Sequence, residues 1–224
     1  MVIVNREDMK DEKMVESKSN ILYTIGHSNH TIENFISLLQ RYGITAVADV
    51  RSAPYSRYCP QFNKDALAAA LQAAGIAYMF LGKELGARPN DSSCYEGGCV
   101  DFQRLAKREE FKRGLECLLA DTSRYRIALM CAEKDPLRCH RAILVAKYLK
   151  QDLCIKHILA NGNIEDHIEA ERRLVRMLKT EPALFESTSY GLLTEREETE
   201  TIEQAYDQQA KRICYQPKKT RKLS

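Results

Sequence analysis

With 224 residues the chain is long enough for one domain of ordinary size plus appendages, and its 44% hydrophobic content can fill a core. A net charge of +3 and a pI near 8.4 are too mild to demand or to exclude an anionic partner such as nucleic acid. No apolar stretch approaches the ~20 residues that a membrane helix needs, and the amino terminus is charged where an export signal would be apolar. A soluble cytoplasmic protein with no membrane partner is therefore expected. Its cysteines, Cys59, Cys94, Cys99, Cys117, Cys131, Cys139, Cys154 and Cys214, are expected to be reduced thiols. Cys117 and Cys154 fall in apolar runs and read as small core residues.

Residues 1–20 are charged, nearly without aromatics and without a sustained period, which predicts a flexible leader. A single α/β domain is expected over 21–180. Ile21 to Ile25 is a short β-type run ending at Gly26-His27-Ser28, and Thr31 caps a helix with Ile32, Phe35, Ile36 and Leu39 on one face. Gly43 is its C-terminal stop. Ala46 to Val50 reads as a buried strand, Arg51 to Gln61 as a loop, and Asn63 as the cap of a helix carrying Leu67, Ala70, Leu71 and Ala74.

Tyr78 to Leu81 predicts a third strand, followed by a long polar loop from Gly82 to Cys99. A helix is expected over Asp101 to Leu119, a strand over Arg126 to Cys131, and a helix through Ala142, Val145, Ala146 and Leu149. Cys154 to Leu159 is a fifth strand, Asn161-Gly162 a turn, and Ile164 to Leu178 a helix. Five strands alternating with helices predict a three-layer α/β fold: a mostly parallel five-stranded sheet with helices on both faces. Residues 181–224 are expected to form a charged helical extension, with a helix over Thr194 to Arg212 and a basic tail at Lys218 to Lys222.

In a parallel sheet the carboxyl ends of the strands share one rim, so residues just after each strand are neighbours in space. That rim collects Gly26, His27 and Ser28, then Asp49, Arg51 and Ser52, then Gly82 and Gly86, then Cys131, Glu133, Cys139, His140 and Arg141. The forked guanidiniums of Arg51 and Arg141 match a phosphate or carboxylate, with a helix amino terminus near His140 to assist. Gly26 lets backbone approach a ligand, and His27 is a candidate acid or base. Asp49 paired with Arg51 or Arg141, and Glu133 with Arg138, as structural ion pairs, is the competing reading. His157 within a strand reads as a hydrogen-bonded core histidine, with His167 placed to reach it.

Three chemistries are testable by spacing. A cysteine phosphatase needs Cys-x5-Arg, and Leu137 stands at that arginine position. Zinc wants four ligands, whereas Cys131-x7-Cys139-His140 offers three on residues not expected to converge, with Cys94 and Cys99 as distant additions. Glu133 or Asp49 working with His27 or His140 needs nothing the rim lacks, as nucleophile or general base in a hydrolysis or glycosyl transfer.

Tyr23-Thr24-Ile25-Gly26-His27-Ser28, Asp49-Val50-Arg51-Ser52-Ala53-Pro54, Leu81-Gly82-Lys83-Glu84-Leu85-Gly86-Ala87-Arg88-Pro89 and Met130 through Arg141 together resemble the family called domain of unknown function 488. The resemblance runs over roughly Ile21 to Leu178, includes His157 through Gly162, and extends loosely to Gln204 through Tyr215. The family pattern has Gly-Gly where this chain has Gly86-Ala87, and Cys94 and Cys99 lie outside it. The resemblance implies these motif residues and no named reaction.

The expectation is an enzyme acting on a phosphate-bearing ligand, a nucleotide or nucleic acid. Catalytic residues are drawn from Glu133, Asp49, His27 and His140, and ligand-binding residues from Gly26, Ser28, Arg51, Gly82, Gly86 and Arg141. No cofactor and no bound metal are expected. The alternatives are a non-catalytic module that binds an anion or nucleic acid, and a zinc-stabilised structural protein built on Cys131, Cys139 and His140.

Overall fold

The computed structural model describes residues 21–179 and 195–217. The expected leader over 1–20, the start of the 181–224 extension and the basic tail at Lys218 to Lys222 lie outside the described residues.

Apolar runs of strand length form the central sheet. Strands β1 (Ile21–Gly26), β2 (Ala46–Asp49) and β3 (Ala77–Phe80) are separated by helices α1 (Ile32–Arg41) and α2 (Lys64–Ala73). A short hairpin of β4 (Tyr95–Glu96) and β5 (Cys99–Val100) precedes helices α3 (Phe102–Ala106) and α4 (Glu109–Asp121). Strand β6 (Ile127–Cys131) leads through a 3₁₀ turn, Pro136–Arg138, to a π-helical segment, Arg141–Ala146, that continues into α5 (Lys147–Leu149). Strands β7 (Cys154–Ile158) and β8 (Ile164–Asp166) and helices α6 (His167–Lys179) and α7 (Glu195–Ile213) complete the described strands and α-helices.

The main sheet is six-stranded in the order β3-β2-β6-β1-β7-β8. The expected strands run parallel to one another, and β8 adds an antiparallel edge against β7. The expected helix from Ile164 therefore starts only at His167. The chain walks outward from β1 to β3, returns to insert β6 between β2 and β1, and then passes to the other side of β1. This reversal sets the carboxyl ends of β1, β2 and β6 around one crevice, where open α/β sheets place ligands.

Side-chain alternation divides the core between the two faces. Ala128 and Met130 of β6 pack with Tyr23, Ile25 and Val47 under α1 and α2, through Phe35, Leu39, Leu67 and Leu71. Ile127, Leu129 and Cys131 turn the other way and pack under Leu144, Leu174, Leu178 and Tyr206. Each fully buried leucine contributes roughly 1.5–3 kcal/mol.

Local signals set the helix ends. The Thr31 hydroxyl accepts from Asn34 N–H at 3.2 Å, a cap with a contribution of about 1 kcal/mol. Gly43 stands past α1 at φ +62°, a conformation that costs a glycine little. Asn63 precedes α2 but turns its side chain back, accepting from Ser56 N–H at 2.6 Å. The helical stretch expected over Asp101 to Leu119 is split between α3 and α4 at Lys107-Arg108.

Cysteine placement departs from expectation in two ways. Cys117 and Cys154 are exposed rather than core residues. Cys99 of β5 and Cys214, just past α7, are joined in a disulfide with Cα atoms 5.7 Å apart. Among the described residues no helix is long and apolar enough to cross a membrane.

Candidate functional site

The loop after β6 returns to its own strand because Asp135 and Pro136 tighten it. The Asp135 carboxylate accepts from Leu137 N–H at 3.0 Å, Pro136 occupies the first position of the 3₁₀ turn, and Cys139 N–H donates to Pro136 O at 3.1 Å. Arg173 of α6 holds Asp135 at 2.9 Å from the outside. Burial opposes the Asp135 charge, but the bonds from Arg173 and Leu137 N–H outweigh it and hold the carboxyl below its ordinary range.

Arg141 clamps the same loop from within. It is 0% exposed, its Nη1 donates to Glu133 O at 2.7 Å, its Nη2 to Lys134 O at 3.3 Å, and its Nε to Thr24 Oγ1 at 3.4 Å. Expected to grip a ligand, Arg141 instead fixes the loop that carries Glu133. Gly26 has a matching duty: a Cβ there would collide with the Glu133 carbonyl, so the close approach it permits is that of the loop. Gly82 and Gly86 likewise let β3's loop pass close to Arg51 O and Ser52.

On the β2 side, Asp49 and Arg51 form a bidentate pair, with Nε to Oδ1 at 2.9 Å and Nη2 to Oδ2 at 2.7 Å. Tyr78 Oη donates to Asp49 Oδ2 at 2.8 Å, and Arg51 also donates to Phe62 O at 2.8 Å. Burial and the Asp49 charge push the Tyr78 phenol well above its ordinary range. The structural pairing of Asp49 with Arg51 is thus what the chain adopts.

His27 is the third member of this network. Its Nδ1–H donates to Ser28 O at 3.0 Å, which leaves Nε2 to accept from Arg51 Nη1 at 3.2 Å. Its ring stacks on Phe62 with centroids 4.4 Å apart. Burial and the Arg51 charge lower its pKa to about 4, so it is neutral at neutral pH with both ring nitrogens engaged. Ser28 stands at φ +48° and pairs its N–H with Ala132 O at 2.9 Å, continuing the β1–β6 ladder past the strand ends.

Cys131, Cys139 and His140 meet despite their separation along the chain, all three ligand atoms lying within 4.8 Å of one another. His140 Nε2–H donates to Val50 O at 3.0 Å, and Nδ1 faces Cys131 Sγ at 3.7 Å and Cys139 Sγ at 3.9 Å. Cys131 Sγ lies 3.5 Å from Glu133 Oε2. Burial opposes a Cys139 thiolate, but the Cys131 hydrogen bond, the Arg141 charge and His140 outweigh it and hold the Cys139 thiol well below its ordinary value. Cys131 is pushed well above by its bond to Cys139 and by burial. Burial also opposes charge on His140, yet the contacts with Cys139 raise its pKa, and partial burial followed by the Cys139 charge raises that of Glu133.

A cleft of about 300 Å³ opens over this cluster, lined by Arg51, Arg88, Cys131, Glu133, Arg138 and His140 among others, with Tyr215 and Gln216 closing one side. A second cleft shares Glu133, Arg138 and Ile213 with it and continues along α7. Glu133 is solvent-exposed, whereas Asp49 and His27 are buried. Arg138 is exposed, and no ion pair engages its guanidinium among the described residues; the Arg88 guanidinium lies 4.7 Å over the Tyr215 ring.

The rim thus brings together the expected Gly26, His27, Ser28, Asp49, Arg51, Glu133, His140 and Arg141. Cys94 is buried elsewhere and Cys99 is bonded to Cys214, so neither joins the cluster. Arg88 and Arg138, both inside quoted motifs, face the cleft without having been singled out as ligand residues, and nothing in the motifs sets them apart from the arginines that bond inward. Tyr78 and Phe62 carried no signal, since each reads as an ordinary apolar position.

No curated protein and no solved structure matches the chain. Residues 31–149 match the family described as Domain of unknown function DUF488, a span that runs from the cap of α1 to the end of α5 and contains Asp49, Arg51 and Tyr78, the β6 loop and Arg141, with His27 and Thr24 just before it. The chain belongs to the DUF488 family.

Proposed function

We propose that this protein is an enzyme acting on a phosphate-bearing ligand, a nucleotide or nucleic acid, in a hydrolysis or glycosyl-transfer type of reaction. One observation carries the reading: Glu133 and Arg138 line both adjoining clefts, so an exposed carboxylate and a guanidinium without an ion-pair partner among the described residues face the same space. Arg138 and Arg88 bind the anion, Arg138 as a fork and Arg88 from its seat on Tyr215. Glu133 moves the proton, as general acid or base.

The other rim residues support this arrangement from behind. Arg51 has its guanidinium engaged by Asp49, Phe62 O and His27, and Arg141 holds the Glu133 loop. Both are positioning residues in this reading. Asp49 and His27 fix Arg51 beneath the cleft.

The test is a melting-temperature screen of the full chain against inorganic phosphate, nucleoside mono- and triphosphates and short oligonucleotides. A probe that binds only the folded state at a hundred times its Kd stabilises by about 2.7 kcal/mol. Arg138→Ala and Arg88→Ala should remove the shift, and Glu133→Gln should retain it while abolishing turnover of the same probe. Absence of a shift with every phosphate-bearing probe overturns the ligand class, and wild-type turnover by Glu133→Gln overturns the role of the carboxylate. Binding without turnover by the wild type assigns the protein to the anion-binding modules instead.

A further inference from the structure

We infer that Cys131, Cys139 and His140 form a site for one divalent transition-metal ion of the zinc class, with its fourth coordination position open to the cleft beside Glu133. The inference concerns the cluster itself and does not depend on which ligand fills the cleft.

The distances suit such an ion before it arrives. A tetrahedral zinc with bonds of about 2.3 Å to sulfur and about 2.0 Å to nitrogen sets sulfur and nitrogen ligands ~3.6 Å apart. The His140 Nδ1 separations from Cys131 and Cys139 are 3.7 and 3.9 Å. Only small side-chain rotations separate this cluster from a coordination shell.

The imidazole is presented in the required form. Metal-ligating histidines characteristically donate their other ring N–H to a carbonyl or carboxylate, which fixes tautomer and orientation. His140 Nε2–H donates to Val50 O at 3.0 Å, leaving the Nδ1 lone pair aimed at the two sulfurs. The ligands also sit on rigid supports: Cys131 ends β6, while Cys139 follows the 3₁₀ turn and His140 precedes the π-helical segment.

Two thiolates and one imidazole select soft or borderline ions over magnesium or calcium. Two metal-bound thiolates and a divalent cation sum to zero charge, so the buried Arg141 beside them is not repelled. Three protein ligands under a cleft make a site with an exchangeable position, the pattern of catalytic rather than structural zinc. Cys131, His140 and Glu133 all line the cleft, and Glu133 Oε2 lies 3.5 Å from Cys131 Sγ on that side.

The experiment uses the full chain, stripped of metal under a non-thiol reductant and titrated with Co2+ alone. One equivalent should produce the visible bands of tetrahedral cobalt and sulfur-to-cobalt charge transfer, Zn2+ should displace it, and Zn2+ should raise the melting temperature. Cys139→Ser, Cys131→Ser and His140→Ala should abolish the spectrum, while Glu133→Gln should retain one equivalent. Azide should alter the cobalt spectrum if the fourth position is open. Wild-type protein with native circular dichroism that gives no cobalt spectrum and no zinc-dependent stabilisation overturns the site, whatever the variants do. A cobalt spectrum unchanged in Cys139→Ser overturns the ligand set, and one unmoved by azide overturns the open position. Failure of the phosphate-ligand screen leaves all of these readouts intact.

Discussion

His157 of β7 donates its Nε2–H to Nδ1 of His167, the first residue of α6, across 2.9 Å. The partners on either side fix the direction of that bond. Tyr206 Oη donates to Glu171 Oε1 at 2.8 Å, so it can only accept from His167 Nε2 at 2.9 Å. At the other end Thr24 Oγ1 bonds His157 Nδ1 at 2.8 Å and accepts from Arg141 Nε at 3.4 Å. Both histidines are therefore neutral and in one tautomer, as the reading of His157 as a core histidine and of His167 as its partner requires.

Stability should fall in acid from this chain of bonds. Burial, reinforced by the neighbouring His167 imidazole, lowers the pKa of His157 well below 6.5, and burial lowers that of His167 to about 4. The unfolded chain takes up protons near its ordinary pKa of about 6.5 while the folded chain does not, so stability is fully present above that value and is lost as pH falls toward the folded values. His167 alone accounts for a loss on the order of 3 kcal/mol between about pH 6.5 and 4. Urea midpoints measured across that interval should decline steadily; a level profile contradicts the neutral assignment.

Asp49→Asn should be among the most damaging single changes. It leaves the Arg51 guanidinium buried without its bidentate carboxylate and weakens the acceptor of Tyr78. Breaking a buried pair from one side costs about 3–5 kcal/mol. Chemical denaturation of Asp49→Asn beside the double change Asp49→Asn, Arg51→Met checks it, because the double variant should recover part of the loss.

Gly26→Ala should destabilise by about 1–3 kcal/mol, since its Cβ meets the Glu133 carbonyl and the loop must move. The displacement should also reach the cleft. Loss of stability with unchanged cobalt binding would separate the strand clash from the geometry of the loop.

Reduction of the Cys99–Cys214 disulfide should lower the melting temperature. The bond closes a chain separation of 115 residues, and disulfides typically contribute about 2–4 kcal/mol, more for longer loops. Cys214→Ser should melt at the reduced wild-type temperature and show no further response to reductant.

How legible this was follows from particular residues. The parallel strands were readable because burial on both faces makes each an apolar run, as in Ile127-Ala128-Leu129-Met130-Cys131. Strand β8 was not: Ile164-Glu165-Asp166 is too short and polar to declare itself, and becomes a strand only because β7 offers it an edge. The break between α3 and α4 at Lys107-Arg108 carries neither glycine nor proline. At the rim, which residues gather was readable from topology, but which guanidinium faces outward was not. The two expected anion holders, Arg51 and Arg141, spend their guanidiniums on inward bonds, Arg51 while lining the cleft, whereas Arg138 and Arg88 face the cleft without an acidic partner among the described residues. Convergence of Cys139 and His140 on Cys131 depends on a 3₁₀ turn and a π-helical start that no periodicity announces.

The π-helical segment at Arg141–Ala146 is, in effect, an angular adjustment. It opens on two consecutive residues with opposed targets: His140, just before it, addresses β2 through Val50 O, while Arg141, its first residue, addresses β1 through Thr24 and the loop after β6 through Glu133 O and Lys134 O. A wider turn holds one more residue than an α-turn, so the helix can satisfy both directions at its start and still present Leu144, Val145 and Leu149 to the core. Shortening this segment by one residue would restore ordinary pitch and swing everything after it by about 100°, turning a local deletion into a misregistered face. The irregularity is therefore the gear that couples the crevice to the regular body of the fold.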